Sequence, residues 1–414
     1  MDRISMLELI ACVSEVVDLI SDEIKDHHIR VAWGAYHLTE AMGIPGAERR
    51  NIVIAAAMHD VGGLSLNARL EAVEADYEDS NSHAEKGYRL LSPYVPFQSI
   101  ANMIRNHHTP WDYGRATDAS DNPIPMGSQI ILLADRISVM LRPDATLLAQ
   151  TDAVSKVLLA QENSIYAPQI IAAFRTLLDR SYFWLDMMTR DFPDLKDKLR
   201  DDDVFLSGPD LTGALEMLSR IIDYRSTFTA VHSRGVAVVA DELSRLLAFP
   251  DSERQLIRAA GLLHDIGKLA VPSEVIEKNG PLDDSESRLI HSHTYYTEKV
   301  LSNLSGGDVI RRWASFHHEN LDGSGYPFGL REEELDTGAR ILKVADVFSA
   351  LMEDRPYRKS VGPGPSAHIM REMTETHELD PQIVAVLRDN LDVISEKWRA
   401  EARTVADEYA QFSS

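Results

Sequence analysis

The 414-residue sequence predicts an all-α protein made of two tandem helical domains. Two observations carry that expectation. Apolar residues recur at helical spacing over long stretches, as in Leu215, Leu218, Ile221 and Ile222, or Val236, Val239, Ala240, Leu243 and Leu247, while strand-like alternation is scarce. The other observation is an internal repeat. His232, His264-Asp265, His293, His317-His318 and Asp346 follow one another in the second half, and His28, His59-Asp60, His83, His107-His108 and Asp135 keep the same order in the first. Successive members stand 32, 29, 24 and 29 residues apart in the second half, and 31, 24, 24 and 28 apart in the first. Ten of the 15 histidines fall into these sets, which points to a metal-binding unit written twice.

Taken in order, the chain opens on an apolar stretch interrupted by Glu8, Glu15 and Asp18, which reads as an amphipathic helix and not a membrane span. Ile44-Pro45-Gly46-Ala47-Glu48-Arg49 leads into a helix from Ile52 through Met58 that ends at His59-Asp60-Val-Gly62. Its counterpart starts at Asp251-Ser-Glu-Arg254, with Asp or Ser as cap and acids in the first turn, and ends at His264-Asp265-Ile-Gly267. Pro45 and Pro250 each precede the histidine of the pair by 14 residues. The charged stretch from Asp191 to Pro209, closed by Ser207-Gly208-Pro209, marks the boundary, so domains are expected at 1–195 and 205–414. The apolar helix from Ile383 to Leu391 faces either its own core or a partner, and a homodimer is one expectation.

Composition narrows the partners. With 44% hydrophobic residues each half can bury a core, and a formal charge of −23 argues against extended nucleic acid while leaving room for a small anion held by local cations. The single cysteine, Cys12, excludes an internal disulfide framework, and no signal peptide or membrane segment is read, so a cytoplasmic protein is expected.

The residue types define the chemistry. An adjacent His-Asp pair at a helix end offers an imidazole and a carboxylate to one cation, and the carboxylate can bridge to a second. His232, His264, Asp265 and Asp346 then form one site. The other oxygen of Asp265 joins His293, His317 and His318 in another. Mixed N/O donors suit Fe, Mn, Zn, Ni or Co. Two cations roughly 3.5–4 Å apart would clamp a phosphodiester and lower the pKa of a bridging water, so that hydroxide attacks in line.

Three segments add a family resemblance. His264-Asp-Ile-Gly-Lys268, His317-His-Glu-Asn-Leu-Asp-Gly-Ser-Gly325-Tyr326-Pro327 and Asp346-Val-Phe-Ser-Ala-Leu-Met-Glu-Asp-Arg355-Pro-Tyr-Arg358 resemble the HD-GYP family of cyclic dinucleotide phosphodiesterases, over about Leu211 to Leu387. The resemblance implies a substrate such as cyclic di-GMP or 3′,3′-cyclic GMP-AMP, with Lys268 on the scissile phosphate and Tyr326, Arg355 and Arg358 on phosphates and base. It also implies divalent ions, Fe or Mn first. Some members hold a third ion through a glutamate one helical turn before the first histidine. Phe228 stands there, and an apolar ring cannot ligate, so two ions are expected.

The first half resembles a divergent HD-type domain. Gly63 replaces the lysine, Thr-Pro-Trp-Asp-Tyr-Gly114 follows His107-His108, and nothing after Asp135 matches the arginine segment, although Arg136 and Arg142 are nearby. A regulatory domain with a second metal centre is the expectation. The alternatives for the protein are a non-hydrolysing cyclic dinucleotide effector and an HD-type nucleotide phosphohydrolase. The Gly-Tyr-Pro loop weighs against the phosphohydrolase, and Lys268 with a complete ligand set weighs against the effector.

Overall fold

A computed structural model describes residues 3–19, 26–63, 81–118, 121–142, 146–224, 230–276, 278, 280–354 and 359–413. Among these the fold is helical apart from two strands of two residues, Ile4–Ser5 and Phe205–Leu206. The chain forms two compact units, one from Ser5 to Phe205 and the other taking up the chain from Leu206, with the first four residues included in the second.

The first unit contains α1 (Met6–Asp18), α2 (His27–Ala41), α3 (Gly46–Ala57), α4 (Asn81–Leu91), α5 (Gln98–Arg105), α6 (Met126–Met140), α7 (Leu147–Leu159), α8 (Pro168–Leu177), α9 (Ser181–Thr189) and α10 (Phe192–Lys198). Ser5 caps α1 by accepting a hydrogen bond from the Glu8 amide at 3.1 Å. This helix is less two-faced than its sequence suggests, because every residue except Glu15 is buried. The buried Glu8 carboxylate is compensated by the Lys196 ammonium at 2.8 Å. α2 runs through the centre, its Val31, Ala32, Trp33, Ala35 and Leu38 fully enclosed, and packs on α3, α6 and α9. The charged stretch after Asp191 begins as a helix, capped by the Asp191 side chain on the Asp194 amide and anchored by buried Phe192 and Leu195.

The second unit repeats the plan with α11 (Gly208–Asp223), α12 (His232–Leu246), α13 (Asp251–Leu263), α14 (Ser273–Ile276), α15 (Asp284–Leu301), α16 (Asp308–Ser315), α17 (Thr337–Met352), α18 (Pro363–Glu375), α19 (Pro381–Asp389) and α20 (Leu391–Ser413). α12 takes the central place, packed by α13, α17 and α20, with the periodic Val236, Val239, Ala240 and Leu243 buried. α15 starts on a capping box between Asp283 and Glu286, and Asp336 caps α17 while accepting the Trp313 indole N–H at 2.6 Å. No helix among the described residues is long and apolar enough to cross a membrane.

Candidate metal-dependent active site

In the second unit each ligand type arrives from a different helix. His232 is the first residue of α12, His264 caps the C-terminus of α13 with Asp265 next, His293 lies within α15, His317-His318 follow α16, and Asp346 lies within α17. The rings are aimed by their own helices. Nδ1 of His264, His293 and His317 donates to the carbonyls of Gly261, Ile290 and Ala314, three residues back, at 2.8, 2.6 and 2.6 Å. That pairing leaves the lone pair on Nε2, which points inward.

The inward atoms converge on Asp265. Its Oδ2 faces Nε2 of His232 and His264 at 3.5 and 3.4 Å, and its Oδ1 faces Nε2 of His293 and His317 at 3.4 and 4.0 Å. Asp346 Oδ1 stands 3.2 Å from His232 Nε2, and its Oδ2 lies 4.0 Å from His318. Two clusters of metal-competent donors result, His232/His264/Asp346 and His293/His317/His318, with the Asp265 carboxylate between them.

These residues fit divalent cations. Nε2 of His293 and His317, both acceptors in the tautomer their carbonyl contacts select, meet at 3.3 Å, and His264 Nε2 and Asp265 Oδ1 are buried with no hydrogen-bond partner among the described residues. Acceptors gathered this way need a positive charge among them. The ionisation states agree. Burial pushes the His293 imidazole down to about 4 and holds His317 and His318 well below the usual range. Burial would raise the Asp265 carboxyl, but the neighbouring His264, Lys268 and His293 outweigh it and hold it well below the carboxylate range. Neutral imidazoles and ionised carboxylates are the forms that ligate.

Around the donors lies a cationic and aromatic rim. Lys268, on the turn after Asp265, places Nζ 2.5 Å from Asp265 Oδ2. Tyr326 stacks on His291 with ring centroids 4.0 Å apart and planes at 13°, and leans on His318. Its loop hangs on Glu319, wholly buried, whose carboxylate accepts from the Phe328 and Leu330 amides at 2.7 and 2.9 Å. Gly325 passes so close to that segment that a Cβ would lie 2.3 Å from the Asn320 nitrogen. Arg355, Arg358 and Phe228 lie outside the described residues.

The first unit gathers a second cluster, with one change of register. His27 occupies the place expected for His28. It is the first residue of α2 as His232 is of α12, its Nε2 lies 3.3 Å from both Asp135 Oδ1 and His59 Nε2, and its step to His59 is the same 32 residues. Position relative to the helix start decides which of two adjacent imidazoles takes the place that His232 holds in the second unit. His28 turns its Nδ1 to Asp18 instead. His59, Asp60, His83, His107, His108 and Asp135 all reach the cluster, where Asp60 Oδ1 faces His83 and His107 at 3.0 and 3.6 Å and Oδ2 faces His59 at 3.2 Å. Arg136 approaches Asp135 at 3.8 Å, and Gly63 offers no ammonium.

HD-domain family models match residues 24–140 and 216–383. The 3′3′-cGAMP-specific phosphodiesterase 1 of Vibrio cholerae is 29% identical over 94% of this chain and 92% of its own length. Phosphodiesterase 3 of the same specificity and organism is 31% identical over 73% of this chain and 65% of its own length. The chain carries two HD domains, the second of the HD-GYP type. A cyclic di-GMP phosphodiesterase of Pseudomonas aeruginosa is 37% identical over 38% of this chain and 37% of its own length. A solved structure of a cyclic GMP-AMP-specific phosphodiesterase of Vibrio cholerae shares the fold, with a TM-score of 0.64 at 23% identity over 94% of this chain and 98% of that one.

The HD-GYP domain also uses residues that the motifs do not announce. Glu353 Oε1 stands 3.2 Å from His232 Nδ1, so it orients the ring that faces Asp346. Thr297 accepts from the Gly267 amide and donates to the His264 carbonyl, tying the His-Asp turn to α15. His291, which lies outside both repeated sets, is the partner of Tyr326. One sequence signal was available: Asp18 and Asp223 each precede the first ligand histidine, His27 or His232, by nine residues, which fixes the register.

Proposed function

We propose that the HD-GYP domain hydrolyses a phosphodiester bond of a 3′,3′-cyclic dinucleotide, and that 3′,3′-cyclic GMP-AMP is the preferred substrate. The observation that carries the reaction class is the placement of Asp265, one oxygen toward each imidazole set. That arrangement suits two divalent ions, Fe or Mn first, held by His232, His264, Asp265 and Asp346 on one side and by Asp265, His293, His317 and His318 on the other. When bound, such ions supply Lewis acidity at the phosphoryl oxygens and a nucleophile at neutral pH.

The chain's own groups do the rest. Asp265 fixes the spacing of the two donor sets and holds the Lys268 ammonium at the rim, from which it can turn to a phosphate oxygen. Tyr326, stiffened by His291 and by the Glu319 clamp, gives the substrate a flat wall for a base. Arg355 and Arg358 are assigned to the remaining phosphate charge by their sequence positions. The preference for a mixed dinucleotide rests on breadth of similarity: the cGAMP-specific relative aligns along 94% of the chain, whereas the cyclic di-GMP phosphodiesterase aligns along 38%, too little to include both domains. The formal charge of −23 suits a small anionic substrate held by local cations better than extended nucleic acid.

The test is turnover. Protein loaded with Fe(II) or Mn(II) is incubated with cyclic GMP-AMP, cyclic di-GMP and cyclic di-AMP, and products are separated by chromatography beside Asp265→Ala. Linear product fastest from cyclic GMP-AMP and absent in the variant is the expected result. Faster turnover of cyclic di-GMP overturns the preference, and no turnover of any of the three overturns the hydrolytic reading.

A further inference from the structure

The two domains differ at the residue that follows the first ligand histidine. In the HD-GYP domain it is Ser233, whose amide and hydroxyl both donate to Asp223, the last residue of α11, at 3.0 and 2.9 Å. In the first domain the same place is held by His28, whose Nδ1 pairs with Asp18, the last residue of α1. Serine ends at that contact. Imidazole has a second nitrogen beyond it.

That nitrogen is placed as a ligand would be. His28 is 3% exposed, and its Nε2 is buried with no hydrogen-bond partner among the described residues. A donor atom of His28 shares a 4.8 Å cluster with donor atoms of His59 and Asp60. Since Nδ1 carries the proton shared with Asp18, Nε2 is the lone-pair atom, and a carboxylate behind an imidazole is the usual support for a metal-bound ring. A buried acceptor with no donor is costly unless a cation answers it.

We propose that His28 is a metal ligand of the first-domain centre, acting through Nε2 and oriented by Asp18. The centre then draws on six imidazoles, from His27, His28, His59, His83, His107 and His108, against five in the HD-GYP domain. The added nitrogen favours a first-row ion such as Zn(II), Co(II), Ni(II) or Fe(II) over an oxygen-preferring one. A bound ion would then have one more protein ligand than its counterpart in the second domain, where a hydrolytic centre needs a position for water or substrate. Enclosure points the same way, because His108 is buried whereas its counterpart His318 is partly exposed. The first domain thus holds an ion in a closed cage suited to fixing its helices, and not to turning over a nucleotide.

The test uses the full chain with both donor sets of the HD-GYP domain disabled by His264→Ala, Asp265→Ala, His293→Ala and His317→Ala, so the readout reports the first-domain centre and is independent of nucleotide hydrolysis. Co(II) is titrated into this protein and into the same background carrying His28→Ser, which installs the residue of the second domain. The d–d absorption band is expected to change, and the apparent Kd to rise about tenfold or more. Asp18→Asn, which keeps the ligand but weakens its support, is expected to produce a smaller rise. Unchanged Kd and spectrum in a folded His28→Ser protein overturn the proposal. Should that variant not fold, the chain without a change at His28, labelled with 15N at histidine and loaded with Zn(II), decides the matter: a His28 Nε2 resonance that does not move on metal addition overturns it equally.

Discussion

A Cβ placed on Gly267 would lie 1.9 Å from the carbonyl oxygen of His293. The glycine two residues after Asp265 therefore lets the His-Asp turn touch the backbone of the helix that brings the next ligand. Gly62 does the same in the first domain, where a Cβ would lie 2.0 Å from the His83 carbonyl. Gly267→Ala is expected to push the turn away from α15, destabilise the domain by about 1–3 kcal/mol, and lower its metal content. Thermal denaturation and elemental analysis of the purified variant check both effects, and normal metal content would contradict the steric argument.

Glu353 acts on the metal site through His232. Glu353→Gln retains the size of the side chain but removes the charge that supports the Nδ1 proton, so metal affinity of the HD-GYP centre is expected to fall about 10–100-fold with the helical signal preserved. A chelator-competition titration measures it.

Lys268→Met should leave the two donor sets intact, since Lys268 is no ligand, while removing an ammonium from the phosphate side. The expectation is a loss in kcat on the order of 10²–10³-fold with KM changed far less, and with metal content unchanged. Single-turnover measurements on metal-loaded protein separate the chemical step from binding. A KM effect alone would make Lys268 a binding residue only.

Acid stability has a contributor remote from the metals. Glu242, buried on α12, accepts from Arg245 and Lys397, and these contacts lower its carboxyl to about 2. A depressed folded-state pKa means that the unfolded chain takes up the proton first. The contribution is therefore complete above about pH 4.5 and disappears as pH falls toward 2. Glu242→Gln should lower the melting temperature at neutral pH and flatten the fall of stability between those values, as differential scanning calorimetry across pH would show.

Much of the site was legible because its geometry is local. A histidine in a helix or just past its end finds the carbonyl three residues back, so the order His264, His293, His317 translates directly into inward Nε2 atoms. The choice between His27 and His28 was not legible from residue type, because adjacent imidazoles are chemically alike. The start of α2 decides it, and the equal offset of Asp18 and Asp223 is the trace of that start in the sequence. Contacts such as His232 with Glu353, or Glu319 with the Phe328 amide, join residues whose pairing depends on tertiary packing and leaves no period to read.

Because the rings of His59 and His107, and of His264, His293 and His317, are each aimed by a carbonyl three residues back, much of the cage in each domain is set by single helical turns and not by the loops around it. Loops can be rewritten without disturbing the donors. In the first domain Gly63 and the segment after His108 differ from the second domain while His27, His59, His83, His107 and His108 still gather at the centre. Chemistry and scaffold are thus separable inheritances in this protein: the first domain keeps the gathered donors without the lysine and the Gly-Tyr-Pro loop that surround them in the second.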